Sequence, residues 1–362
     1  MKGGGEKTQW KLFIEDVSVF QLVLTFLFMG VAGLLLIVYL MFTTLWPISV
    51  LYFTWQIYDW HKPERGGRRS AFVRSWKMWT HFKEYFPVKL VKTAELSPSK
   101  NYILGCHPHG IMSMGAFSCF STEAGGFSEA YPGVQSTLAI LAGLFRLPIF
   151  RDYILLAGML PVSKESLEYK LSRAGLGNAL VIIIGGAEES LACSPGANTV
   201  VMKHRKGFVR LALENGADLV PVYSFGENEL FPQVLLSEGS VGRKLQALFK
   251  QVMGFARAFS LGFAGCCCPT RGRSLPWWAA PYLCLISAIH LKSRWTTITH
   301  CTWRPYPNCS ILTKPAVDWL KHINYTSFRH YTHTHKPIYS AMKKTLFKHS
   351  VTFHFKFKSN YS

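Results

Sequence analysis

Residues 17–58 contain no Asp, Glu, Lys or Arg. A straight helix of that length would run about 63 Å, roughly twice the 30 Å hydrocarbon core of a bilayer. Two spans fit better than one. Thr43, Thr44 and Pro47 offer a break, because proline cannot continue a helical hydrogen-bond ladder. The pattern predicts spans at about 18–40 and 45–60 within a segment 17–60. The second is short and holds Trp46, Tyr52, Trp55, Tyr58 and Trp60, residue types that favour the headgroup level. Lys2, Lys7 and Lys11 precede the stretch; Lys62, Arg65, Arg68, Arg69, Arg74 and Lys77 follow it. Cations at both ends favour a helical hairpin with residues 1–16 and everything after it in the cytosol. A re-entrant or monotopic insertion is the other arrangement open. A secretory signal would show a shorter apolar region and a small-residue cleavage site.

After the apolar segment the pattern changes to short buried runs that alternate with amphipathic ones. Residues 101–106 (NYILGC), 179–184 (ALVIII) and 219–225 (LVPVYSF) read as strands. Helices are expected at about 134–147, 165–174 and 206–215. Alternation of this kind predicts an α/β domain with a parallel or mixed sheet, over residues 61–262. In such sheets ligands sit beyond the carboxyl ends of the strands. Each predicted strand runs into a polar motif at that end: His107-Pro108-His109-Gly110, Gly185-Gly186-Ala187-Glu188-Glu189 and Gly226-Glu227.

Charge changes this picture little. The chain has 362 residues and a formal net charge of +20, which at first suggests a nucleic-acid partner. The excess lies outside the patterned region, however: residues 239–362 hold 18 Lys+Arg against a single acid, Asp318. No aromatic-basic platform accompanies it, so nucleic acid is not an expected partner. Nine cysteines, three of them consecutive at Cys266–Cys268, match neither a disulfide framework nor zinc-ligand spacing. No metal site is expected.

The sharpest chemical signal is His107-Pro108-His109-Gly110. Two imidazoles sit on a rigid turn directly after a strand, and Gly110 permits close backbone approach. Imidazole serves as a base near neutral pH, and loop N–H groups could stabilise an oxyanion. Packing or capping histidines are the bland alternative. Glu188 and Glu189 could orient a histidine, or could simply favour a helix N-terminus. Arg205 and Lys206 open a predicted helix and so oppose its macrodipole, which points to an anionic ligand such as phosphate. A solvated basic turn accounts for them equally.

Together these residues resemble the diacylglycerol acyltransferase 2 family of endoplasmic-reticulum enzymes. The resemblance rests on residues 45–59 (LWPISVLYFTWQIYD), Gly66-Gly67-Arg68-Arg69-Ser70, Tyr85-Phe86-Pro87 and the run ending in HPHG. It continues through Arg151-Asp152-Tyr153, residues 185–188 and 205–227 (RKGFVRLALENGADLVPVYSFGE), and covers about 15–262. Within the family, residues 23–30 and 87–96 look most like the 2-acylglycerol O-acyltransferases.

The resemblance implies acyl transfer from acyl-CoA, as co-substrate and without a cofactor, to monoacylglycerol, and further to diacylglycerol. Wax-alcohol or diacylglycerol acyltransferase activity and a catalytically inactive relative are the alternatives. His109 is assigned as the base by analogy with glycerolipid acyltransferases, with His107 beside it. Those enzymes carry an acid five positions after the histidine; here that position is Met114, so Glu188 becomes the candidate orienter. The family's motifs further imply Gly110, Tyr85, Phe86, Pro87, Arg205 and Lys206 as substrate-binding or site-shaping residues. The implied setting is the endoplasmic-reticulum membrane, multi-pass, with membrane lipids and related subunits as partners. Residues 263–362 depart from the family as a divergent basic tail whose composition fits an aberrant C-terminus. There Arg271-Gly272-Arg273 is at most an echo, and His330, His333 and His335 form a poor metal set.

Overall fold

The computed structural model describes residues 7–193, 200–202, 205–231, 240–241 and the strand 282–285. The remainder of the tail, with Cys266–Cys268 and His330, His333 and His335, lies outside the described residues, as does the predicted boundary at 262.

The apolar segment folds as helix, turn, helix. Helix α1 spans Gln9–Met41 and passes through a π-helical stretch at Thr25–Met29. Helix α2 spans Trp46–Tyr58, with Pro47 in its first turn. The break falls where Thr43, Thr44 and Pro47 place it. Among the described helices only α1 is long and apolar enough to cross a membrane. The 13 residues of α2 reach about 20 Å, short of a full span. The two helices are joined by a buried bond from the Ser49 hydroxyl to the Ile37 carbonyl, 2.9 Å. Leu147-Pro148-Ile149 from the body packs into α1 at Gly30 and Gly33, where an added Cβ would stand 2.6 Å from Leu147 and 3.0 Å from the Pro148 carbonyl.

The body carries a seven-stranded sheet in the order β1-β7-β6-β2-β5-β3-β4. The strands are β1 Lys89–Lys92, β2 Tyr102–His107, β3 Gln135–Ile140, β4 Leu160–Pro161, β5 Asn178–Ile183, β6 Asp218–Phe225 and β7 Tyr282–Leu285. Pairing is parallel throughout except for β6 with β7, so the sheet is mixed. The three predicted strands are β2, β5 and β6, which are the neighbours at its centre. Their near-continuous Val, Ile and Leu runs are what a strand covered on both faces requires.

One expectation fails. Residues 134–147 are not a helix but β3 followed by a 3-10 turn at Ala142–Arg146. The run Ser136–Ala139 is buried on both faces, and a short buried apolar run cannot be told from a helix by periodicity alone. The other two helices form at α5 Lys164–Ser172 and α7 Gly207–Asn215, the latter ended by Gly216 at φ +63°. Helix α3, Lys77–Tyr85, is tied to the N-terminus by Lys11 to Glu84 at 2.8 Å.

Beside β3, Arg74 is fully buried and gives its guanidinium to Glu123, to the Ala157 and Phe120 carbonyls and to Ser136. Arg69 shares the same Glu123 oxygen at 2.9 Å. Removing one partner of a buried ion pair leaves the other charge uncompensated, at a cost of about 3 kcal/mol or more. Glu123→Ala should therefore melt well below the parent in detergent, with Glu123→Gln in between. A melting temperature equal to the parent's would show that the carboxylate adds nothing net.

Candidate active site

The central strand β2 ends at His107, and its neighbours β5 and β6 end alongside. The chain after β5 turns at Gly185-Gly186 into helix α6, Gly186–Ala192. The chain after β6 turns at Gly226, φ +73°, into Glu227. Three polar motifs far apart in sequence thus meet at one sheet edge.

His107 is 2% exposed. Its Nδ1 faces the Glu189 carboxylate at 2.9 Å and 3.2 Å, and its buried Nε2 has no hydrogen-bond partner among the described residues. Glu189 also accepts the backbone N–H of His109 at 2.6 Å and of Val201 at 2.7 Å. Burial pushes its carboxyl up, but the His107 contact and those two N–H groups outweigh it and hold Glu189 below the ordinary carboxylate value. Gly185 is required for this arrangement, since a Cβ there would lie 2.2 Å from the Glu189 carboxylate.

His109 is half-buried. Its Nδ1 lies 3.1 Å from the Gly110 carbonyl, 2.8 Å from the Ser190 hydroxyl and 3.4 Å from the Ser113 hydroxyl. A carbonyl only accepts. The hydroxyl protons go elsewhere, from Ser190 to the Gly110 carbonyl and from Ser113 to the His109 carbonyl. Nδ1 therefore carries the hydrogen in the neutral ring, and Nε2 carries the lone pair. Burial lowers the His109 pKa, which keeps that lone pair available at neutral pH.

Glu227 closes the other side of the loop. It is 2% exposed and accepts the N–H of Met114 at 2.7 Å, the N–H of Gly115 at 2.9 Å and the Ser224 hydroxyl at 3.1 Å. Gly110, at φ +58°, has no room for a side chain because an added Cβ would stand 2.7 Å from Glu227 Cγ.

The structure thus brings His107, His109 and Gly110 together, but the carboxylate it places against them is Glu189, not Glu188. Glu188 points outward, 56% exposed, and meets Arg205 at 3.5 Å. Adjacent residues on a helix face different sides, and only Gly185, bare of a side chain beneath Glu189, marks the inner one. Arg205 also reaches the Gly185 carbonyl at 3.5 Å, and Lys206 caps α7. Tyr85 ends α3 and Phe86 and Pro87 follow it, Phe86 entering the aromatic core against Phe82 and Phe231 while Pro87 stays exposed. Ser113 and Ser190 carried no sequence signal. Among the described residues no three His, Cys, Asp or Glu side chains come together as a metal ion would need.

Comparison with known proteins identifies the family. The family model described as diacylglycerol acyltransferase matches residues 38–271. The diacylglycerol O-acyltransferase 2 of Xenopus laevis is 54% identical over 253 residues, covering 70% of this chain and 69% of that protein. The human protein of the same name is 52% identical over 243 residues, covering 67% and 63% respectively. Human 2-acylglycerol O-acyltransferase 3 is 52% identical over 250 residues, covering 69% and 73%. No solved structure matches.

The two glutamates make opposite predictions. Glu189→Gln should lower acyl transfer by about 100-fold or more, whereas Glu188→Gln should stay within a few-fold of the parent. Equal losses in both variants, measured at equal protein level in membranes, would overturn the assignment.

Proposed function

The chain belongs to the diacylglycerol acyltransferase family, and from that premise we propose the following division of labour. The protein is an acyl-CoA-dependent acylglycerol acyltransferase that makes diacylglycerol or triacylglycerol. Monoacylglycerol is the first acceptor, and His109 is the base. The observation that supports His109 is its fixed tautomer, with Nδ1–H held by Gly110 and Ser190 and Nε2 left to accept a proton.

In this mechanism the acceptor hydroxyl gives its proton to His109 Nε2 as its oxygen attacks the thioester carbonyl carbon. The tetrahedral oxyanion is met by N–H groups of the loop after His109. It collapses with cleavage of the carbon–sulfur bond, and the CoA thiolate takes the proton back from the imidazolium. The ester and free CoA leave. Glu189, by holding the His109 backbone N–H and the His107 ring, keeps the loop in position. Arg205 and Lys206 are proposed contacts for CoA phosphates, Arg205 exchanging Glu188 for the ligand.

One observation favours a second reading. His107 has a carboxylate on Nδ1 and an unpartnered Nε2, an arrangement that also fits a general base. In either case α1 associates the protein with a membrane. The proposed setting is the endoplasmic reticulum, with α1 and α2 as a hairpin, both ends cytosolic, and assembly with itself or related acyltransferases open.

The test is acyl transfer from labelled oleoyl-CoA to monoacylglycerol, diacylglycerol or a long-chain alcohol, in membranes from cells lacking their own neutral-lipid acyltransferases. Label is expected in diacylglycerol and lost by about 100-fold or more in His109→Ala. A base works when neutral, so the part of the acid limb that belongs to His109 should lie below the 6.5 of an unperturbed imidazole. Loss in His107→Ala with His109→Ala active would move the base to His107. No product from a well-expressed parent chain would defeat the acyltransfer reading.

A further inference from the structure

Glu227 belongs to a motif that the reaction as described does not use, yet its carboxylate lies beneath the catalytic loop. All three of its polar contacts are donors: the N–H of Met114, the N–H of Gly115 and the hydroxyl of Ser224. The two N–H groups can only donate, and a carboxylic acid would have to turn its proton onto the Ser224 oxygen and lose that donor, so the pattern favours the anion. The two N–H groups belong to the first turn of the helix that begins at Met114, directly after the loop holding His109, Gly110 and Ser113. Gly110 contacts the Glu227 side chain itself, and the Gly110 carbonyl is one of the acceptors that fix the His109 ring.

We propose that Glu227 is a positioning residue for acyl transfer: its anion pins the loop at Gly110 and Met114–Gly115, and so holds His109 and the Gly110 carbonyl in the arrangement that leaves His109 Nε2 open to substrate. The inference rests on the reading of His109 as the base.

Burial works against this anion and pushes the Glu227 carboxyl up to about 7, opposed by the Gly115, Met114 and Ser224 hydrogen bonds. The charged and titratable groups around it are Cys106 on β2, Cys119 on the helix after Met114, Cys193 after α6 and Glu229 after Gly226. Burial raises the pKa of all three thiols, so they stay neutral where Glu227 titrates, and Glu229 only adds repulsion. The sign then follows. Near neutral pH and above, Glu227 is ionised and the loop is pinned. Below about 7, it gains a proton, the anion on which the two N–H groups converge is lost, and activity falls. The same proton stabilises the fold. The folded pKa lies above the ordinary 4.5 of a glutamate, so this contribution is full below about 4.5 and lost as pH rises through about 7. Activity and stability therefore move in opposite directions with pH.

The experiment uses the full chain in membranes, with oleoyl-CoA and monoacylglycerol, and compares Glu227→Gln, Ser224→Ala, His109→Ala and the parent across pH 5–9. Glu227→Gln presents an NH2 to a backbone N–H, so kcat should fall about 10- to 100-fold with the KM for oleoyl-CoA within about twofold. Its acid limb should move to lower pH, leaving the limb of His109 alone. Ser224→Ala removes one donor to the anion, and its acid limb should move to higher pH. Thermal inactivation at pH 8 checks that Glu227→Gln is folded. If it is not, the Ser224→Ala shift decides by itself. Parental kcat in Glu227→Gln, or acid limbs unmoved in both variants, would overturn the proposal while His109→Ala stays inactive. Activity in His109→Ala would instead remove the reading on which it rests.

Discussion

A carboxylate can be taken out of water only where hydrogen-bond donors converge on it, and the centre of this molecule is arranged around two such places. Glu189 draws the His107 ring and the N–H groups of His109 and Val201 to itself. Glu227 does the same for Met114, Gly115 and Ser224. Between these anchors lie the few residues that carry the imidazoles. The loop's shape is therefore imposed less by its own sequence than by two side chains reaching in from the turns that follow strands β5 and β6. The glycines follow from this. Gly110 and Gly185 stand where a side chain would collide with Glu227 and Glu189.

The same economy of buried charge joins the body to the helical segment. Arg151, 1% exposed, gives a hydrogen bond to the Asp59 carboxylate just beyond α2, and Arg68 meets that carboxylate at 2.7 Å from the other side. Tyr52 on α2 donates to Asp152 and accepts the Ile149 N–H. Gly30 and Gly33 let the preceding turn lie directly on α1. A small-residue face on an apolar helix allows close backbone approach. Here the partner is a turn of the α/β body, which ties that body directly to the apolar helix α1.

How far the sequence disclosed this depended on the range of the interaction. Strands β2, β5 and β6 were legible because continuous aliphatic runs mark central strands, and the break near Pro47 was legible because proline acts locally. The strand at residues 135–140 was missed, since Gln-Ser-Thr-Leu-Ala-Ile owes its state to the neighbours on both sides. His107, His109 and Gly110 stood out by residue type. Glu189 was passed over for Glu188 because the choice between adjacent helical positions is made by which one faces β2. Ser190 was invisible altogether: one hydroxyl fixes a tautomer only through a contact 81 residues distant in sequence. Met114 fell where related acyltransferases carry an acid. Its backbone N–H is where Glu227 binds, so a carboxylate is at that place after all, supplied from the end of β6.

The fold also draws on a segment beyond residues 38–271, the stretch that the family model matches. Residues 282–285, Tyr-Leu-Cys-Leu, form β7 between β1 and β6, parallel to one and antiparallel to the other. A strand enters a sheet through backbone N–H and C=O groups, which every residue but proline supplies in full. Those demands are loose, so a segment without detectable resemblance can still join a strand that leads to Gly226 and Glu227. The demands at Gly110, Gly185 and Glu189 are strict, because each is set by a single interatomic distance. Geometry is therefore exacting at the ends of β2, β5 and β6, and looser at the sheet edge beyond β6.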